Sequence, residues 1–171
     1  MDMEQHPSSF IEVTGIVQEL RPAYKPDGSV MEGRGFIAIE DENGQPVMLD
    51  TNAHTLFLGN GKLQVGAQVV AYVRANRPMI LIYPPQHRPS VVVVGDLDEN
   101  LKVEYFNRKY ISADNALKLN LPEGFLAQHV DGRQVDASEI FSRYLAVLYG
   151  PSTRSIPAQT TPSKVYVLDI K

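Results

Sequence analysis

Apolar and polar residues alternate along much of this chain. In "FIEVTGIVQEL" (10–20) and "GFIAIED" (35–41) the apolar side chains fall close to every second position, the period of a strand with one buried face. Runs of β-branched and aromatic residues follow in "AQVVAYV", "MILIY", "SVVVV", "YLAVLY" and "KVYVLDI", and these predict further strands. The dipeptides Asp27-Gly28, Asn43-Gly44, Asn60-Gly61 and Asp131-Gly132 lie between them. Each tolerates the positive φ of a tight hairpin turn. Helical periodicity is scarce. "NAHTLFLG" (52–59) predicts a turn or two of helix, and in "DASEIFSRY" (136–144) Asp136 stands three residues before Glu139 in a capping arrangement.

Late in the chain the pattern repeats. Pro78–Asp96 set beside Pro151–Asp169, a constant shift of 73, matches Pro78/Pro151, Pro84/Pro157, Gln86/Gln159, Pro89/Pro162, Ser90/Ser163, Val92/Val165, Val94/Val167 and Asp96/Asp169. Eight identities in 19 ungapped positions exceed the roughly 1 or 2 that chance gives for such a composition. Upstream, "VVAYV" falls on "YLAVL" after a two-residue slip, "IAIEDENG" resembles "LKLNLPEG", and "IEVTG" resembles "LKVEY". The order of these matches predicts a tandem duplication, with units at 9–96 and 100–171 joined by "GDLDEN". Convergence of two Pro-flanked loops on similar turn chemistry is the alternative. Short strands, turn dipeptides and little helix predict two OB-like small β-barrels in an all-β chain, with flattened sandwiches as the other architecture.

Proline explains the echoed segment. Pro84 and Pro157 each end an apolar run, and Pro89 and Pro162 each precede the last strand of a unit. A residue with fixed φ and no N–H to donate predicts a stiff connection held out of the ladder. Ser90 and Ser163 are then placed to bond the local backbone as the chain re-enters the sheet.

The totals add bounds. With 171 residues, each unit is near the lower size at which a domain buries an adequate core. Apolar residues make up 43% and charged residues 21%, a globular composition. No apolar run approaches the roughly 20 residues of a membrane-spanning helix. Cysteine is absent, which removes disulfides and thiolate chemistry. Net charge is −4, with 7 Lys/Arg against 12 Asp/Glu in residues 1–98 and 9 against 8 in 99–171. Neither half has the basic excess of a protein that binds by neutralising phosphates, so nucleic acid is not the default partner.

Chemistry-bearing motifs are missing. His6, His54, His87 and His129 are far apart with no metal-ligand spacing, and "DLDENL" has Leu101 where a calcium loop needs glycine. There is no GxSxG, SxxK, GxGxxG or GxxxxGK[ST]. "GNGK" (59–62) reads as a hairpin turn, and Glu40, Asp41 and Glu42 as solvated charge beside the Asn43-Gly44 turn. No catalytic residue, cofactor or metal is therefore implied. One constellation suggests binding: Arg74, Arg77, Tyr83, His87 and Arg88 gather about the first Pro-rich segment, with Tyr72 one strand position away. OB-like barrels hold single strands or sugars by combining stacking aromatics with cationic groups. The corresponding positions of the second unit do not repeat the charge. These observations predict a non-enzymatic binding protein with a protein or polysaccharide partner. Single-stranded nucleic-acid or oligosaccharide binding through the OB-like face is the alternative.

The strings "YGPSTRSIPAQTTPSKVYVLDIK" and "MILIYPPQHRPSVVVV" resemble a group of bacterial domains of unassigned activity. In that group a TRSIPAQTxPxK segment closes one domain and a MIxIYPPQ segment sits in the domain before it. Such domains accompany copper amine oxidase N-terminal-like (stalk) domains in exported or cell-envelope proteins. The resemblance covers most of 11–170 and implies an envelope-associated accessory module. It carries no copper site here. "MDMEQHPSSF" has acids in place of the basic and apolar regions of an export signal, which predicts a cytoplasmic chain as written. Removal of a leader is the route to the envelope alternative.

Exposed edges of short strands also predict pairing between chains. Sedimentation at high concentration is expected to show a homodimer, and a 19.0 kDa particle would exclude it.

Overall fold

The computed structural model describes residues 8–75 and 81–168. Every regular element among them is a strand except one turn of 3-10 helix, so the chain is all-β, as its alternation predicts. It divides into two compact units, Ile11–Leu97 and a second that runs on from Asp98 and includes residues 8–10. Buried Glu104 explains why 8–10 fall outside the first unit. Its Oε1 accepts from Ser8 Oγ at 2.8 Å and from Ser9 N at 2.7 Å, and its Oε2 accepts from Tyr105 N at 2.7 Å. Phe10 then stands edge-on to Tyr144, with centroids 5.9 Å apart.

The first unit is built on β1 (Phe10–Tyr24), β2 (Val30–Asp41), β3 (Pro46–Thr51), β4 (Leu56–Leu58), β5 (Gln68–Arg74), β6 (Gln86–His87) and β7 (Val91–Val94), in one sheet of order β4-β7-β5-β1-β2-β3-β6. Val17, Ile37, Ile39, Leu49, Val69, Val92 and their neighbours form its core. The second unit contains β8 (Asn100–Phe106), β9 (Leu117–Leu119), β10 (Leu126–His129), β11 (Gln134–Asp136), β12 (Arg143–Tyr149), β13 (Ala158–Thr160) and β14 (Lys164–Val167). Here one sheet runs β11-β10-β14-β12-β8, and a second pairs β13 with β9. Phe106, Leu119, Ile140, Leu145 and Val147 anchor the core. Asp136 caps the 3-10 turn 137–139, accepting from Ser138 N at 2.9 Å.

None of these sheets closes into a barrel, and the Pro-rich segments show why. β6 and β7 are three residues apart in the chain but pair on opposite sides of the sheet order, β6 parallel to β3 and β7 antiparallel to β5. A continuous strand through 86–94 would join those sides. Pro89 has no N–H to give and breaks it. The second unit has the same break at Pro162. β13 runs parallel to β9, while β14 pairs antiparallel with β12 and parallel with β10, as β7 does with β5 and β4. Ser90 N donates to Tyr72 O at 2.9 Å and Ser163 N to Leu148 O at 2.9 Å. The peptide bonds before Pro84 and Pro157 are both cis.

Two details depart from the sequence expectations. The stretch between each pair of prolines lies inside a short parallel ladder, because Gln86, His87 and 158–160 still carry N–H groups. By these pairings β9 also stands where β3 does, so the likeness of 37–44 to 117–124 does not follow the ladders.

Turn chemistry explains the rest. Gly28, Gly44 and Gly132 take positive φ in tight turns, and Asp41 Oδ1 accepts from Asn43 N and Gln45 N at 2.9 Å each, so this acid builds its turn. The helical turn expected at 52–59 is instead a turn over 52–55 followed by β4. Asn52 Oδ1 accepts from His54 N at 2.7 Å and Thr55 Oγ1 from Asn52 N at 3.0 Å. Gly59-Asn60-Gly61 is not a hairpin turn: Gly61 N reaches Val94 O and Asn60 N reaches Asp96 O, both at 2.9 Å, which extends the β4–β7 pairing. A Cβ on Gly59 would stand 2.1 Å from Val94 O, at a φ of +104°.

Gly59→Ala is therefore expected to lower stability in urea unfolding by about 3 kcal/mol, combining a steric clash with a left-handed backbone. Gly66→Ala, at φ +92° but with open space around it, should cost only about 1–2 kcal/mol. Equal losses at the two positions would refute the close approach.

Candidate functional site

Five of the six residues of the sequence constellation lie among the described residues. Tyr72 lies on β5 and is half-buried. Burial and then the Glu12 carboxylate, to which its hydroxyl bonds, push the phenol up to about 12. That hydroxyl is committed to β1 and is not presented outward. Arg74 ends β5, half-buried. Tyr83 is 77% exposed, beside Leu81, which is fully exposed. His87 lies in β6, and burial lowers its pKa, favouring the neutral imidazole. Arg77 lies outside the described residues.

Arg88 meets residues that sequence reasoning missed. Its Nε donates to Asp50 Oδ2 at 3.2 Å, and Arg34 Nε approaches Asp50 Oδ1 to 3.8 Å. Strand register brings Arg34 there. Arg21, Phe36 and Asp50 are paired across β1, β2 and β3, and Arg34, two residues before Phe36, shares their face of the sheet. Asp50 is buried, whereas the side chains of Arg34 and Arg88 are 41% and 65% exposed. The Asp50 carboxylate thus accepts a hydrogen bond from Arg88 Nε and forms a longer ion pair with Arg34 Nε. A sequence signal existed: Asp50 is an acid closing the apolar run "PVML", where a charge is rare unless paired.

Beside this cluster lies a groove of about 570 Å³, lined by Leu20, Arg34, Ile37, Phe57 and Leu63 among others. A bulge in β1 helps make it. Val17 pairs with Ile39 but Glu19 with Ala38, so Gln18 is the extra residue and the strand's inward parity changes there. Leu20 thereby joins Ile37 and Leu49 in the core row. One row further on, Pro22, Gly35 and Thr51 pair across the three strands, and Gly35 contributes no side chain. The core stops short at that end. In the second unit Tyr110, Leu119, Pro122, Glu123, Ala137 and Thr161 line another groove of about 570 Å³.

Among the described residues no three of His, Cys, Asp and Glu come together to hold a metal ion, and no helix is long and apolar enough to cross a membrane. By fold this is an all-β protein of two compact units. No known protein family, curated protein or solved structure matches it.

The Tyr72 environment has a pH consequence. The unfolded phenol ionises near 10 and the folded one at about 12, so the unfolded chain sheds its proton first. Stability from this group is intact below pH 10 and falls as pH rises towards 12. Ultraviolet titration should show a late-ionising tyrosine that disappears in Tyr72→Phe, and that variant should lose less stability between pH 10 and 12 than the parent.

Proposed function

We propose that this protein is a non-enzymatic binding module of two OB-like units related by duplication, which presents its 81–88 segment to an envelope polysaccharide. The observation that carries the reading is Arg88, anchored through Nε by buried Asp50, five positions along the chain from an exposed Tyr83. An aromatic face covers a sugar ring, and a fixed guanidinium donates to its hydroxyl or carboxylate oxygens. Pre-anchoring lowers the entropy lost on binding. Rigid strands on both sides of the segment, β5 and β7, suit a presented loop.

The OB-like assignment is supported by the order of pairings. β1, β2 and β3 form a meander, β5 returns to β1, and the β6–β7 segment runs parallel to β3 and antiparallel to β5. That is the strand order of a five-stranded Greek-key barrel with its last strand interrupted. The duplication is supported by the 73-residue echo and by the matching ladders on either side of Pro89 and Pro162. The envelope placement rests on the resemblance carried by the TRSIPAQT and MILIYPPQ strings.

Thermal shift against peptidoglycan fragments, other glycans, nucleotides and short single-stranded oligonucleotides tests the reading. A glycan at 100 times its dissociation constant should stabilise the fold by about 2.7 kcal/mol, and replacing Arg77, Tyr83 and Arg88 together with alanine should abolish the shift. A response to oligonucleotides alone, falling steeply with added salt, would replace the polysaccharide with nucleic acid. Silence across the panel would redirect the search to a protein partner.

A further inference from the structure

The TRSIPAQT string of the second unit, residues 153–160, folds back on itself. Thr153 N donates to Gln159 O and Gln159 N to Thr153 Oγ1, both at 2.9 Å. The Thr153 and Ser155 hydroxyls bond each other at 2.7 Å, Ser155 Oγ donates to Pro157 O at 2.8 Å, and Thr160 Oγ1 donates to Pro151 O at 2.7 Å. β13 meets β9 along one edge, and Thr153 takes the N–H and C=O of Gln159 on the other. At Gln159 that edge has no backbone pair left for a strand from another molecule. What the loop offers is side chains. Ile156 is 87% exposed, and Arg154 is exposed two positions earlier, between the two residues whose hydroxyls hold the loop. An aliphatic side chain carried on a loop already ordered by folding suits an interface anchor, because little further ordering is needed on binding.

The groove of the second unit, about 570 Å³, adjoins this loop. Asn120 and Thr161 line it; Asn120 Nδ2 donates to Gln159 Oε1 at 3.3 Å, and Thr161 follows the Thr160 that holds Pro151. Its apolar wall is Tyr110, Leu119, Leu121 and Pro122. The Tyr110 hydroxyl is committed to Ala137 O at 3.0 Å, so that residue contributes its ring. Glu123 is the one charged residue among those lining the groove, and it is exposed. Neither Glu123 nor Arg154 forms an ion pair among the described residues. An exposed apolar side chain with a cation beside it thus lies next to an apolar groove with an acid in its wall.

At 87% exposure Ile156 does not enter the groove of its own chain. We propose that the second units of two copies of this chain dock through this patch, Ile156 of each entering the groove of the other and Arg154 meeting the other's Glu123. A two-fold contact uses one self-complementary surface on both partners, and the Asn120–Gln159 bond puts loop and groove on one surface. The two halves match in polarity and in charge, which is what fixes the register of an interface. An unrelated partner would have to bring its own pocket and acid and would leave the groove unfilled. The contact is carried by side chains and differs from the pairing of strand edges. It does not depend on the polysaccharide reading, since none of its residues belongs to the 81–88 segment.

Sedimentation equilibrium of the full chain over a range of concentrations tests the proposal, with the melting temperature of each variant measured alongside. The parent should pass from a 19.0 kDa particle to one of twice that mass as concentration rises. Ile156→Glu should stay at 19.0 kDa throughout, with an unchanged melting temperature because the side chain is exposed. Arg154→Glu and Glu123→Arg should each raise the dissociation constant of the dimer roughly tenfold or more, since each sets like charges opposite one another at two symmetry-related places. Combined in one chain, the two reversals should return it to near the parental value. Tyr83→Ala should leave association unchanged, which separates failure of this contact from failure of the glycan face. A parent that remains at 19.0 kDa, an Ile156→Glu protein that associates as the parent does, or a double reversal that fails to recover association would each overturn the proposal. Should Ile156→Glu not fold, the charge reversals carry the comparison, and single reversals with parental association would overturn it.

Discussion

A proline without an N–H, set two residues before the last strand of each unit, organises much of this molecule. At Pro89 the chain leaves its short parallel ladder with β3 and begins its antiparallel ladder with β5, and at Pro162 it does the same between β9 and β12. An ordinary residue there would let one strand run through both ladders. Because proline cannot donate, the hydrogen bonding divides at that point. The first unit's sheet therefore stays open, and in the second unit a separate two-stranded sheet splits off. Serine follows in both cases, and its N–H donates at 2.9 Å to a carbonyl of the antiparallel partner, Tyr72 on β5 or Leu148 on β12.

The open architecture explains why the first unit has a groove. A closed barrel fills its interior with rows of side chains. Here the inward rows run out where Gly35 supplies no side chain and where the bulge at Gln18 has already changed which residues of β1 point inward. The other flank is fixed by backbone contact. β4 lies parallel to β7, and Gly59–Gly61 continue along Val94–Asp96 so closely that a methyl group at 59 has no room. Phe57 is thereby fixed at the groove's wall, because its strand cannot slide.

Electrostatics follows the same geometry. Asp50 emerges on the face opposite Leu49, and the parity of β3 alone keeps it out of the core. Strand register then delivers Arg34 from β2, and the chain leaving β6 delivers Arg88. One buried carboxylate thus meets two cations from different strands, bonding Arg88 directly and Arg34 as an ion pair. The second unit has its own buried acid, Glu104, and uses it differently, to bind residues 8 and 9. Backbone architecture is thus shared more fully than surface chemistry.

Local chemistry made much of this legible in advance. The strand periodicity, the Asp-Gly and Asn-Gly turns at 27–28, 43–44 and 131–132, and the repeated prolines are properties of neighbouring residues, so the sequence determined them without help. The sequence could not assign Tyr72 to Glu12, because that bond joins two strands brought together by the sheet. Nor could it pair Arg88 with Asp50, 38 positions away. The Asn60-Gly61 dipeptide misled for a related reason: its local preference for a hairpin was overridden by hydrogen bonds to Val94 and Asp96. What the sequence determined by itself was where strands begin, turn and break, since those depend on φ preferences and N–H groups within a few residues. Only the tertiary structure decided which charges meet and where the core falls short, because both depend on register, and one extra residue at Gln18 is enough to change it.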